Sequence, residues 1–125
     1  MVEGAHVQRF TNLKVWQRSH ALVLRIYEVT RIFPTDERFG LTSQLRRAAV
    51  SVPTNIAEGA KRQSARDFAH FLNIAEASLA ETDYLLLLAR DLHFATPDPG
   101  LFAELEPAET PGAKQRDSRS SGAWP

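Results

Sequence analysis

Ser51-Val52-Pro53-Thr54-Asn55-Ile56-Ala57-Glu58-Gly59-Ala60-Lys61-Arg62 sets a proline, a polar pair and a glycine inside a segment otherwise patterned as helix. A chain that needed only a helix would avoid Pro53, which costs about 3 kcal/mol in a helix interior, and Gly59, which costs about 1 kcal/mol. The stretch therefore answers a geometric requirement beyond helicity. Leu45, Ala48, Ala49, Val52, Ile56 and Ala60 mark the inner face of a helix that begins near Leu41 or Thr42, with Thr42 or Ser43 as its cap. The small residues Ala48, Ala49, Ala57 and Ala60 let a neighbouring helix approach closely. Pro53 deletes one hydrogen bond and crowds the carbonyl of Ala49, so a kink, or a break and restart, is expected there. Asn55 followed three residues later by Glu58 has capping-box spacing, which supports a restart.

Upstream, a first helix is expected from about Leu13 to Phe33, capped by Asn12 and stopped by Pro34. Leu13, Trp16, His20, Val23, Leu24, Tyr27 and Thr30 form one stripe; Val15, Leu22, Ile26, Val29 and Phe33 form a second. Two stripes predict a helix buried on two sides, as in a bundle whose subunits also pack together. Residues 34–40 are a connector with room for one short helical turn. Downstream, Ser64-Ala65-Arg66-Asp67 is a second capping-box-like start. The third helix then runs to about His93, with Phe68, Phe71, Leu72, Ala75, Ser78, Leu79, Thr82, Leu85, Leu86 and Ala89 at close to 3.6-residue spacing.

The pattern fails after Thr96, where Pro97, Pro99, Pro107 and Pro111 interrupt it. Leu101, Phe102 and Leu105 fit one side of a short helix, and residues from about 108 to 125 have the Pro-, Gly-, Ser- and charge-rich composition of a disordered tail. The organisation read from the sequence is a flexible arm (1–10), a helical bundle domain (11–96) and a degenerate fourth-helix region with its tail (97–125). Helices joined by short connectors pack antiparallel. Their apolar surface exceeds what three helices cover, so a fourth helix or partner chains are expected.

The chain has 125 residues, enough for one modest core. Its 15 basic and 15 acidic residues cancel, and it has no cysteine, which excludes disulfides and thiolate metal sites. No signal peptide is visible, and the longest apolar run, Tyr84 to Ala89, falls far short of the roughly 20 residues that span a bilayer. These features predict a soluble, cytoplasmic protein with no membrane partner. The zero net charge hides an asymmetry: Arg38, Arg46, Arg47, Lys61, Arg62 and Arg66 stand in a stretch whose only acid is Glu58. Such a segment is either a solvated helix face or a surface that meets phosphate.

Four ordered motifs carry a resemblance. They are Phe10-x-x-Leu13-x-Val15-Trp16-Gln17; Phe33-Pro34-x-x-Glu37-x-Phe39-Gly40-Leu41-Thr42-x-Gln44-Leu45-Arg46-Arg47-Ala48-Ala49; Ser51-Val52-x-x-Asn55-Ile56-Ala57-Glu58-Gly59; and Phe68-x-x-Phe71-Leu72-x-Ile74-Ala75-x-x-Ser78-x-x-Glu81. Together, over residues of about 10 to 92, they resemble the four-helix-bundle family of 23S rRNA-intervening sequence proteins. The resemblance implies an all-α, antiparallel up-down four-helix bundle in a small bacterial or viral-type cytosolic protein. It also implies assembly into a homopentamer. A further similarity is to the accessory variability protein of diversity-generating retroelements, a basic pentamer that binds nucleic acid and a reverse transcriptase. The chain departs from the family at its fourth helix, which is expected short or degenerate; a truncated or frameshifted end would produce that composition.

Candidate nucleic-acid-binding residues are Arg46, Arg47, Lys61, Arg62 and Arg66, making sequence-independent contacts to RNA or DNA phosphate. Pro53, Asn55, Glu58 and Gly59 form a structural or interface motif. In it Asn55 and Glu58 cap and pin the second helix or pair with Arg46 or Arg47 across a subunit boundary, the alternative being a ligand-binding or catalytic carboxylate. There is no HExxH, no nucleophile elbow and no Gly-rich phosphate loop. The expectation is a non-enzymatic assembly protein with no cofactor, no metal and no small-molecule substrate. The alternative is a protein–protein adaptor that binds no nucleic acid.

Overall fold

A computed structural model describes residues 10–94 of the chain. Helix α1 spans Lys14–Thr30, α2 Leu41–Ala60 and α3 Ala65–Asp91, with a single 3-10 turn at Thr35–Glu37 between α1 and α2. The described residues contain no strand. The expectations for the N-terminal arm before Phe10, and for the fourth-helix region and tail (97–125), lie outside the described residues.

Helix α1 buries one face. Leu22 and Ile26 from one predicted stripe, Val23 and Thr30 from the other, and Ser19 from neither point into the core, while Val15, Leu24 and Tyr27 stay exposed, as does Ile32 just beyond the helix. The two-sided burial expected of this helix is therefore not met within one chain. Asn12 does not cap it: the chain already turns at Phe10 and Thr11, the Leu13 N–H donates to the Phe10 carbonyl at 3.0 Å, and Leu13 itself holds the cap position. The helix ends at Thr30 rather than Phe33. Bonds from the Arg31 N–H to the Glu28 carbonyl and from the Phe33 N–H to the Thr30 carbonyl tighten the exit ahead of Pro34, which disfavours helical geometry at Phe33.

Helix α2 opens on Gly40, and neither Thr42 nor Ser43 caps it. Thr42 is buried, and the orphan N–H of Leu41 instead donates to Glu37 Oε1 at 3.0 Å, a carboxylate supplied by the preceding turn. The space where a Gly40 Cβ would sit lies 2.8 Å from that same oxygen. The break and restart expected at Pro53 does not occur, because α2 is one continuous helix through the proline. Side chains just after the missing bond hold the turn. Thr54 Oγ1 donates to the Val50 carbonyl at 2.7 Å and Asn55 Nδ2 to the Ser51 carbonyl at 2.8 Å. Asn55 is thus a back-bonding residue inside the helix, not a cap.

Helix α3 starts as its sequence predicts, with Ser64 Oγ accepting the Asp67 N–H at 3.1 Å. It ends in a reversal: His93 adopts a left-handed conformation (φ 63°), its N–H donates to the Arg90 carbonyl, and the Phe94 N–H donates to the Ala89 carbonyl. This is the Schellman arrangement. It folds Phe94 back onto Phe33, with ring centroids 5.8 Å apart.

The core lies where α2 meets its neighbours. Leu22, Ile26, Leu45, Ala49, Leu85, Leu86 and Ala89 form one cluster, and Val52, Ile56 and Ala75 a second beneath Trp16 and Leu72. Gly59 allows the closest approach: a Cβ there would lie 2.8 Å from both Phe68 Cδ1 and Phe71 Cβ. Helix α2 packs against both partners, whereas the backbones of α1 and α3 nowhere come within 8 Å of each other.

Candidate nucleic-acid interface

The five basic candidates separate into three places. Arg46 projects from the start of α2 onto the end of α1. Its Nε donates to Thr30 Oγ1 at 2.8 Å, its Nη2 lies 3.5 Å from the Tyr27 carbonyl, and its guanidinium stands 4.4 Å over the Tyr27 ring. It is half-buried and committed within the chain. Arg47, about 100° further round the helix, is exposed and lines an open cleft of about 450 Å³ between α2 and α3.

Lys61, Arg62 and Arg66 gather at the opposite end of the molecule, in and beside the α2–α3 connector. Arg62 is engaged, with Nη2 3.3 Å from Glu58 Oε1 and its guanidinium 4.6 Å over the Phe71 ring. Lys61 and Arg66 are exposed and make no ion pair among the described residues. The alternating chain direction brings the N-terminus of α1 to this end, and Lys14 with it. Two helix N-termini, each carrying partial positive charge, therefore share the end with Lys14, Lys61, Arg62 and Arg66, against Glu58 and Asp67. The opposite end mixes Arg31, Arg38, Arg46, Arg47 and Arg90 with Glu28, Asp36, Glu37 and Asp91. Lys14 was not legible as part of the group, because only the helix topology joins it to residues some 47 positions away.

Glu58 is exposed and pairs with Arg62 rather than with Arg46 or Arg47 in the chain. Asn55 Nδ2 also donates to Ser51 Oγ at 3.0 Å, and Ser51 Oγ shares a hydrogen with Ser78 Oγ at 2.8 Å, so three polar side chains tie α2 to α3. Partial desolvation on α3 raises the carboxyl of Asp83 from its ordinary value. A second cleft, of about 430 Å³, opens between α1 and α2, lined by Phe10, Trp16, His20, Pro53 and Lys61 among others. Its His20 ring stacks on Trp16 with centroids 5.0 Å apart. Among the described residues no three His, Asp or Glu side chains converge as a metal site would require, and no helix is long and apolar enough to cross a membrane.

The arrangement suits phosphate binding: Lys61 and Arg66, exposed and without an ion pair among the described residues, stand at one end beside two helix N-termini. A family model described as 23S rRNA-intervening sequence protein matches residues 11–106. No curated protein matches the sequence.

Proposed function

The chain belongs to the 23S rRNA-intervening sequence protein family, and from that premise we propose a non-enzymatic helical-bundle protein that self-assembles and contacts nucleic-acid phosphate through one basic end. The observation that carries the nucleic-acid part is the basic end just described, which gathers Lys14, Lys61, Arg62 and Arg66 against Glu58 and Asp67 beside two helix N-termini. Such contacts are sequence-independent and salt-sensitive. Self-association is supported by Val15, Leu24 and Tyr27 of α1 and by Ile32 just after it, which remain exposed after the core is formed. The pentameric state implied by the family resemblance, and a cytoplasmic location, belong to the same proposal.

In an up-down four-helix bundle the first and third helices occupy diagonal corners. The separation of α1 from α3 fits that plan, with one corner unfilled among the described residues. That side, between α1 and α3 and open among the described residues, favours a second reading, a protein–protein adaptor that binds a partner there without nucleic acid.

Fluorescence anisotropy with structured RNA and duplex DNA at low and moderate salt tests the first reading. Each phosphate-contacting cation removed by Lys61→Glu or Arg66→Glu should lower the slope of log affinity against log salt by about 1. No binding at low salt, or an unchanged slope in the double variant, overturns the nucleic-acid reading. Recovery of one stoichiometric protein partner would then favour the adaptor.

A further inference from the structure

We propose that the α1–α2 cleft binds an unpaired base of single-stranded nucleic acid, stacked on the His20–Trp16 ring pair with its phosphate carried by Lys61. The inference rests on the phosphate-binding reading and names the form of nucleic acid that the basic end takes. The cleft is built of rings: Phe10, Trp16 and His20 line one side and Pro53 the other. Trp16 is held in place, because it packs against the cluster of Val52, Ile56 and Ala75 and because Phe10 meets it edge-on with centroids 5.2 Å apart. His20 lies on Trp16 nearly parallel, with 8° between the ring planes. Yet His20 is exposed and belongs to neither apolar cluster, so the core does not account for the stack. Among the described residues no other ring contacts the imidazole, which leaves its second face for a flat partner.

Charge selects a nucleotide over an uncharged aromatic ligand. Lys61 lines the same cleft, is exposed and makes no ion pair among the described residues. The acid in the cleft wall, Glu58, is already paired with Arg62 at 3.3 Å. From Pro53 to Lys61 the α2 wall runs about 12 Å at the helical rise per residue, long enough to set a base at one end and a phosphate at the other. Lys14 stands at the same end as Lys61, so a strand leaving the cleft continues over the basic surface. Bases inside a duplex are covered on both faces by their neighbours and cannot join the stack. Every unpaired base offers a π-face, so the contact selects single strands and tolerates their sequence.

Fluorescence anisotropy with three probes tests the stack: a short oligothymidylate, an abasic strand of the same length and charge, and a duplex. The oligothymidylate should bind about tenfold tighter than the abasic strand. His20→Ala should remove about that factor from oligothymidylate alone, and His20→Phe, which keeps a flat ring, should retain it; far-UV circular dichroism melts confirm that both variants fold. Trp16 and Trp124 are the two tryptophans, so in Trp124→Phe the fluorescence of Trp16 should be quenched by oligothymidylate and not by the abasic strand. Equal affinity of the wild type for the two strands, or a His20→Ala variant that weakens both alike, overturns the base site and leaves the phosphate reading standing. Thymidine monophosphate binding as tightly as the strand overturns single-stranded nucleic acid as the occupant. A wild type that binds none of the three probes at low salt overturns the phosphate reading, and this inference with it.

Discussion

Arg46 reaches back across the α1–α2 interface to donate to the hydroxyl of Thr30 at 2.8 Å, while Thr30 itself donates to the Ile26 carbonyl at 2.7 Å. The guanidinium thereby clamps the last turn of α1, where carbonyls lack helical partners and a cation is favoured. One of the most basic-looking positions in the sequence is a structural pin.

Arg46→Ala should therefore lower stability by about 1–3 kcal/mol, the range for a charge-assisted hydrogen bond with an aromatic contact. Arg46→Lys should rescue only part of this, since an ammonium cannot reproduce the planar contact with Tyr27. Thermal melts of the three proteins measure the loss, and nucleic-acid affinity should be unchanged in all of them.

Gly59→Ala pits two effects against each other. Alanine gains about 1 kcal/mol of helix propensity. Its Cβ, however, would stand 2.8 Å from Phe71 Cβ, an atom that moves only if α3 moves. Overpacking of that kind costs about 1–3 kcal/mol, so the variant should melt lower than wild type despite its better helix former. Far-UV circular dichroism melts decide the sign.

Pro53→Ala should do the reverse. Restoring the N–H returns the bond to the Ala49 carbonyl and removes a cost of about 3 kcal/mol, against about 1–2 kcal/mol for the buried ring carbons lost. Chemical denaturation should show a net gain. A loss of stability would mean that the ring's packing outweighs the missing hydrogen bond.

Asp83 predicts a pH dependence. A carboxyl whose value is raised in the folded state is protonated in both states in acid, and it costs stability as the pH climbs from the ordinary carboxylate value through the raised one. Asp83→Asn removes that cost. The variant should melt with the wild type in acid and above it at about pH 7, with the difference appearing over the carboxylate range. Melting temperatures of both proteins across that range check it.

Local signals were legible in the sequence where one segment supplies both partners. Ser64 and Asp67 lie in one turn, and the cap of α3 reads directly. Asn55 and Glu58 show the limit of this: three-residue spacing serves a cap, but with the helix unbroken Asn55 bonds four residues back and Glu58 meets Arg62. The start of α2 at Leu41 was legible, but its cap was hidden because the Leu41 donor is satisfied by Glu37, outside the helix pattern. The basic cluster was legible as composition and illegible as a site. Arg46 and Arg47 are neighbours in sequence but point about 100° apart on a helix, and Lys14 joins Lys61 only through the alternating direction of the helices. Gly59 was read as answering a geometric requirement beyond helicity, and the structure supplies it as close approach to Phe68 and Phe71.

Because every backbone contact between helices runs through α2, the described fold is two helical hairpins that share one arm. Each hairpin closes over a short connector, so neither pays a large loop-closure entropy before its contacts form. Folding from such local pairings is fast, and it can begin at either hairpin because both use the same template. The middle helix thereby acts twice: a residue such as Ala49 or Ile56, chosen for one neighbour, also sets the surface on which the other condenses. Kinetic damage from substitutions should concentrate in α2, while changes on the outer faces of α1 and α3 should act mainly on the rate at which the finished structure comes apart.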